Sequence, residues 1–315
     1  MAGTFTHWMV AEEAVRKFKG STTTKTLLQN NLNFVLCGAV APDMPYLRNP
    51  IFHTFIKTHS WGDRMHYEKS GDFVIHGVKN LGDKNAPDYS ILYSWLFGYV
   101  SHIIADTVVH PVVNATVGGT YRFKADEHRH CELVQDSMIF NAMKNDDITK
   151  SSYHHFMEQV SEKPAQGNNI NLNICELKDV VNKYWLKTLK DNHPDAGSLA
   201  KEDVNGWFKS FRANMGGAAE PIPPFRHLLE TQYLAYQSPG DIQDKDKEYY
   251  VKAQIPGGGQ YSFDKVFRMA VEQTAQTWDK LEDDIANETP DNIRAYIRNW
   301  DLDLGLDMEY FALWA

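Results

Sequence analysis

Cysteine is scarce in this chain: Cys37, Cys131 and Cys175 are odd in number and far apart. They cannot form a disulfide framework, and such usage suits a reducing compartment. Basic charge is not in excess either. Lys and Arg total 32 against 41 Asp and Glu, for a net charge of −9. That leaves no global electrostatic footprint for a polyanion, and no nucleic-acid partner is expected. The opening residues, Met1 to Trp8, hold no basic segment followed by a long apolar one. No secretory leader is read there, and a cytoplasmic location is expected. Internal repeats and low-complexity tracts are lacking too, which argues against solenoid and linker-rich architectures.

Apolar bulk is present. The 315 residues are 43% hydrophobic and 23% charged, enough to bury a large core in one helical domain or two smaller ones. The segment from Ile91 to Val109 is strongly apolar but carries His102 and Asp106. An Asp costs roughly 2.5–3.5 kcal/mol at the centre of a membrane helix, and no Lys or Arg closely flanks the segment. It reads as a helix buried within a protein.

Helical periodicity dominates, and the expected fold class is all-α with a metal site between helices. Helices are read over residues 8–19, 26–40, 88–110 (stopped by Pro111), 125–144, 151–162, 174–190, 200–214, 224–236, 263–285 and 290–299. Residues 50–78 read as loop with a short helix. Breaks fall at Ala41–Pro45, Val117–Thr120, Pro221–Pro224 and Gly257–Gly259, and the best linker is Pro164 to Asn173. The charged run 240–248 reads as a solvated face. Residues 1–150 are expected to form a metal-binding catalytic core, with 151–315 as further helices packed on it in the same globular unit.

The chemistry gathers in the first half. His102, Asp106 and His110 follow one another at intervals of four, which places them within an arc of roughly 80° on one helix face. A buried carboxylate there requires a cation or a donor. On this motif alone a hydrogen-bonded His–Asp core network is an equal reading. His128 and Glu132 form a second pair one turn apart, able to share a metal. His130 points away from that face, whereas Asp136 lies one turn further along it as an outer acceptor. His7, Asp43 and His66 are weak signals singly, and His53, His59 and His76 compete with His66. Together, five histidines and three carboxylates suffice for two or three ions of the kind that hydrolytic zinc sites use.

These segments resemble the zinc-dependent phospholipase C family. The resemblance rests on Thr6-His7, Gly38 to Asp43, Met65-His66-Tyr67, Leu96 to His102 running into Asp106 and His110, and His128 to Glu132. It covers residues 1 to about 140. It implies a zinc-dependent phosphodiesterase acting on phospholipid headgroups, with one Zn2+ on Asp43, His66, His102 and Asp106. A second would lie on His110, His128 and Glu132, and a third on His7 with Asp106 bridging. The secreted members complete the third site with an N-terminal tryptophan, whereas here six residues precede His7. The interval between Asp106 and His110 is also shorter than in secreted toxins. Asp43 is the candidate to orient or deprotonate water. Trp8, Tyr46, Trp61 and Tyr67 are read as core or interface residues before choline contacts. A phospholipid substrate implies brief contact with a membrane surface. Two other readings stand beside this one: a single-strand nuclease-like phosphoester hydrolase, and a non-catalytic metal-binding helical protein.

Overall fold

Apolar residues at helical spacing fold into α1 (Thr4–Lys17), α2 (Thr22–Asn30), α3 (Leu32–Gly38), α4 (Trp61–Tyr67), α5 (Ser70–Asn80) and α6 (Tyr89–Val117). Beyond these come α7 (Tyr121–Lys144), α8 (Asp179–Asn192), α9 (Val204–Ala219), α10 (Asp244–Val251) and α11 (Phe263–Ala286). The computed structural model describes residues 3–48, 61–162, 175–198, 203–219, 235–307, 309 and 312–314. The fold is all-α. Among the described residues its strands make two antiparallel ribbons, β1 (Ala253–Gln254) with β2 (Gln260–Tyr261) and β3 (Trp300–Asp301) with β4 (Leu306–Asp307). Gly257, Gly258 and Gly259 turn the first ribbon at positive φ, which only glycine adopts freely.

Helix α6 is the hub. It is buried without a break from Leu92 to Val113, and α1, α3 and α11 pack around it. It is the one described helix long and apolar enough to cross a membrane, and its apolar window lies wholly inside the protein. Trp278 of α11 pins the packing by donating its indole N–H to the Phe97 carbonyl at 2.9 Å. At the α3–α6 crossing two glycines meet. A Cβ on Gly38 would stand 2.0 Å from the Trp95 carbonyl oxygen, and one on Gly98 would stand 1.9 Å from that of Val35. Only bare backbones approach this closely.

Pro111 does not stop α6, contrary to the sequence expectation; the helix continues to Val117 and ends where Gly118 turns left-handed at φ 77°. Proline removes the hydrogen bond to the Thr107 carbonyl. The C-terminal segment packs against this defect. Gly305 sits so close that a Cβ would meet Pro111 Cγ at 2.6 Å and the Thr107 oxygen at 2.9 Å, and Trp314 donates its indole N–H to the Val108 carbonyl at 2.8 Å.

Other expectations are revised. The helix read over 26–40 breaks at Asn31 into α2 and α3, and Ala41–Arg48 is a 3-10 helix rather than a loop. The segments read as helices over 151–162 and 290–299 contain only 3-10 turns, Tyr153–Glu158 and Pro290–Ala295. After the latter the chain extends, because Asn299 and Trp300 serve α5: Asp72 donates its N–H to Asn299 Oδ1 at 2.9 Å and Ser70 its hydroxyl to the Trp300 carbonyl at 2.9 Å. The charged run forms part of α10, which has no buried residue. Residues 50–60, the linker 164–173, Pro221–Pro224 and most of the helix read over 224–236 lie outside the described residues.

Candidate metal centre

Four elements converge on α6. Its inner face supplies His102, Asp106 and His110, α7 supplies His128 and Glu132, and α1 supplies His7. Asp43 comes from the 3-10 segment and His66 from α4. None of the eight is exposed by more than 7%. His66 Nε2 lies 3.2 Å from Asp43 Oδ1 and 3.6 Å from Asp106 Oδ2. His102 Nε2 is 3.1 Å from Asp106 Oδ2 and 3.7 Å from Asp43 Oδ1. His7 Nε2 is 3.2 Å from Asp106 Oδ1 and 3.8 Å from Asp43 Oδ2. His110 Nε2 spans Asp106 Oδ1 at 3.5 Å and Glu132 Oε1 at 3.8 Å, and His128 Nδ1 reaches Glu132 Oε1 at 3.3 Å. The eight side chains thus form one connected cluster.

The outer faces of the rings decide what the inner faces offer. His66 Nδ1 lies 2.8 Å from the Gly62 carbonyl, His102 Nδ1 lies 2.9 Å from that of Ala39, and His110 Nδ1 lies 2.6 Å from that of Leu302. A carbonyl only accepts, so each Nδ1 carries the proton and each Nε2 turns a lone pair inward. The Ala39 carbonyl is within reach because the Gly38–Gly98 crossing draws α3 onto α6. His66 Nε2 and His102 Nε2 then face each other at 3.3 Å. Two lone pairs at that separation repel, so a cation belongs between them. A shared proton would satisfy that pair alone. Buried His7 Nε2 and His110 Nε2 have no hydrogen bond either.

Electrostatics agree. Burial by itself would raise both aspartyl pKa values, yet positive charge placed at His102, His66 and His7 holds Asp43 below the usual carboxylate range; a bound cation supplies that charge when the rings are neutral ligands. Burial at Asp106 is likewise outweighed, by His110, His102 and His7, and its carboxyl falls well below that range. Ionised carboxylates this deep require compensating positive charge.

The N-terminal end of α1 is seated by Asp136. This buried carboxylate accepts from the N–H groups of Phe5 and Thr6 at 3.0 and 2.8 Å, from the Thr6 hydroxyl at 2.6 Å and from Tyr236 at 3.0 Å. It therefore caps the first turn of the helix that carries His7. His130 turns outward to Asp246 at 3.2 Å. Among the aromatics, Trp8 is fully buried between Phe5, Phe156 and Phe211, and Trp61 packs near His193 and Trp207. Tyr46 lies against His66 with its hydroxyl on Asp63, and Tyr67 is 43% exposed.

A family model described as zinc dependent phospholipase C matches residues 6–190, more than half of the chain. The chain belongs to the zinc-dependent phospholipase C family. Comparison with curated proteins and with solved structures gives no match. Family membership supports zinc-dependent chemistry of the phospholipase C type, and the donor set fits the metal. Imidazole nitrogen and carboxylate oxygen are what hydrolytic zinc sites use. In each of two buried trios, His7–Asp43–His102 and His66–His102–Asp106, the ligand atoms lie within 4.8 Å of one another. The trio His110, His128 and Glu132 is more open, its two rings standing 6.2 Å apart.

Sequence reasoning missed the parts of this candidate centre that act through the backbone. The carbonyls of Gly62, Ala39 and Leu302 carry no side-chain signature, and Leu302 lies beyond the matched stretch. One side chain was missed as well: His128 Nε2 lies 2.7 Å from Asn114 Oδ1. Asn114 is one further turn along the stripe of His102, Asp106 and His110, and that spacing was its signal.

Proposed function

We propose that this protein hydrolyses the phosphodiester bond of phospholipid headgroups, at zinc held by His7, Asp43, His66, His102, Asp106, His110, His128 and Glu132. The observation that carries the reading is the 3.3 Å approach of His66 Nε2 and His102 Nε2, each left with an inward lone pair because a carbonyl holds the ring proton on Nδ1, beside two buried carboxylates. Zinc bound there supplies Lewis acidity and brings the pKa of water to about 7. Asp106 reaches His7, His102 and His110 and holds the subsites in register. Asp43 is the general base: its carboxylate is ionised and lies beside His66 Nε2 at the edge of the cluster, so it can orient a water and take its proton. The packed walls exclude bulk solvent from these groups, which strengthens their electrostatic effect.

Access for lipid fits the surface around α7. Phe123 is 80% exposed, the Arg122 guanidinium lies over its ring, and Lys124 follows it. Two residues before Phe123, the Tyr121 ring packs 5.7 Å from His128. An apolar side chain between cations suits the headgroup boundary of an anionic lipid surface.

Metal quantification together with hydrolysis of a chromogenic phosphorylcholine ester, beside single-stranded DNA, tests the reading. Two or three zinc ions per chain and ester cleavage are expected. Asp106→Asn should lower zinc content and reduce the rate by about 10²–10³ or more. Cleavage of DNA alone would overturn the lipid reading, and zinc below about one per chain would overturn the metal reading.

A further inference from the structure

The imidazole of His128 is oriented differently from the other histidines whose outer nitrogens are engaged. His66, His102 and His110 each give Nδ1 to a carbonyl and turn Nε2 inward. His128 turns Nδ1 toward Glu132 Oε1 at 3.3 Å and gives Nε2 to Asn114 Oδ1 at 2.7 Å. Which atom of the Asn114 amide faces the ring is settled on its other side. Asn114 Nδ2 lies 2.5 Å from the Asp303 carbonyl oxygen, which can only accept. The amide nitrogen therefore points to Asp303 and its oxygen to His128, so His128 carries its proton on Nε2 and presents a bare Nδ1 to a carboxylate. Two acceptors face each other there, as at His66 and His102, and a cation belongs between them.

We propose that Asn114 is a positioning residue of the second zinc subsite. It locks His128 as an Nδ1 ligand, and the Asp301–Gly305 turn is the anchor that holds Asn114 in place. This rests on the reading above that His110, His128 and Glu132 share an ion.

Consecutive carbonyls of this turn reach both histidines of the subsite. Leu302 O accepts from His110 Nδ1 directly, and Asp303 O reaches His128 through Asn114. Leu302 N–H also donates to the His66 carbonyl at 2.9 Å, which ties the turn to α4. The turn is itself fixed by Asp301 Oδ1, which accepts from the N–H groups of Asp303 and Leu304 at 3.0 Å each, and by the close seating of Gly305 on Pro111. Residues 300–305 lie outside the stretch that the family model matches, yet they set the proton positions on two ligands within it. Outer hydrogen bonds of this kind fix ring orientation and raise ligand basicity.

Two measurements on the full-length protein test this. Long-range proton–nitrogen spectra of ¹⁵N-histidine protein loaded with Zn2+ should show His128 protonated on Nε2 alone, while His66, His102 and His110 are protonated on Nδ1. Zinc competition titrations should show Asn114→Leu weakening one bound ion by about 10–100-fold. Asn114→Asp keeps an acceptor for Nε2–H but loses the donor to the Asp303 carbonyl, so it should restore only part of the affinity, with circular dichroism melting as the check on folding. If Asn114→Leu fails to fold, the wild-type spectrum decides. Absence of zinc uptake would overturn both this inference and the functional reading. Uptake with His128 protonated on Nδ1 or on both nitrogens, or equal zinc affinities in the two variants, would overturn this inference alone.

Discussion

Gly98 of α6 lies directly on the backbone of Val35 in α3, so near that a Cβ would stand 1.9 Å from the Val35 carbonyl oxygen. The contact has a consequence at the metal centre, because four residues past Val35 the Ala39 carbonyl accepts from His102 Nδ1. Gly98→Ala must push the helices apart. Overpacking against side chains costs about 1–3 kcal/mol, and rigid backbone leaves less room to adjust. The upper end of that range or beyond is expected in denaturant midpoints. Zinc affinity should fall with it, since His102 loses the acceptor that aims it. Unchanged stability would mean that the helices slide at no cost.

How much of this was legible in the sequence depends on which atoms carry the information. His102, Asp106, His110, His128 and Glu132 were readable because a side-chain interval of four on a helix is a geometric statement. His7, Asp43 and His66 became candidates only jointly, since each comes from a different element and periodicity says nothing about how elements pack. Pro111 was misread as a stop because the groups that compensate it, around Gly305 and Trp314, lie about 200 residues away in sequence. The acceptors at Ala39 and Leu302 were unreadable in principle, every residue having a carbonyl.

Asp136 makes a pH-dependent prediction. Burial outweighs its four donors and pushes its pKa up to about 6, above the ordinary range of an aspartic acid. A raised carboxyl pKa means that the folded state holds the proton in a window where the unfolded chain has released it. Stability from this group is therefore complete below about pH 4 and declines as pH rises toward 6. The difference corresponds to roughly 3 kcal/mol at most. Asp136→Asn removes that slope, so the unfolding free energy of wild type relative to the variant should fall between pH 4 and pH 6.5. A flat difference would show that the hydrogen bonds from Phe5, Thr6 and Tyr236 outweigh the burial.

Phe123 separates membrane contact from chemistry. It is 80% exposed and belongs to none of the groups at the metal centre. Burying a phenylalanine side chain in lipid is worth about 1.5–3 kcal/mol, on the order of 10-fold or more in apparent affinity. Phe123→Ser should slow hydrolysis of phospholipid in anionic vesicles by about that factor and leave a short-chain soluble ester within about twofold. Equal loss on both substrates would assign Phe123 a structural role, and no loss on vesicles would remove this surface from the account of lipid access.

Gly305 tests whether the C-terminal turn matters to the centre through its geometry. The residue adopts φ +65°, and its missing side chain lets the turn rest on Pro111 and the Thr107 carbonyl. Gly305→Ala brings both a left-handed strain, about 1 kcal/mol for a non-glycine residue, and a clash with Pro111. The turn should lift, and with it the Leu302 carbonyl that receives His110 Nδ1 and the Asp303 carbonyl that receives Asn114. Zinc bound through His110 and His128 should weaken by about 10-fold or more, whereas zinc bound through Asp43, His66 and His102 should hold nearly as in wild type. Stepwise chelator titration resolves the two. Loss of all zinc in a single step would instead mean that the turn supports the whole cluster through its Leu302 contact with the His66 backbone. Retention of all of it would mean that the turn is a bystander.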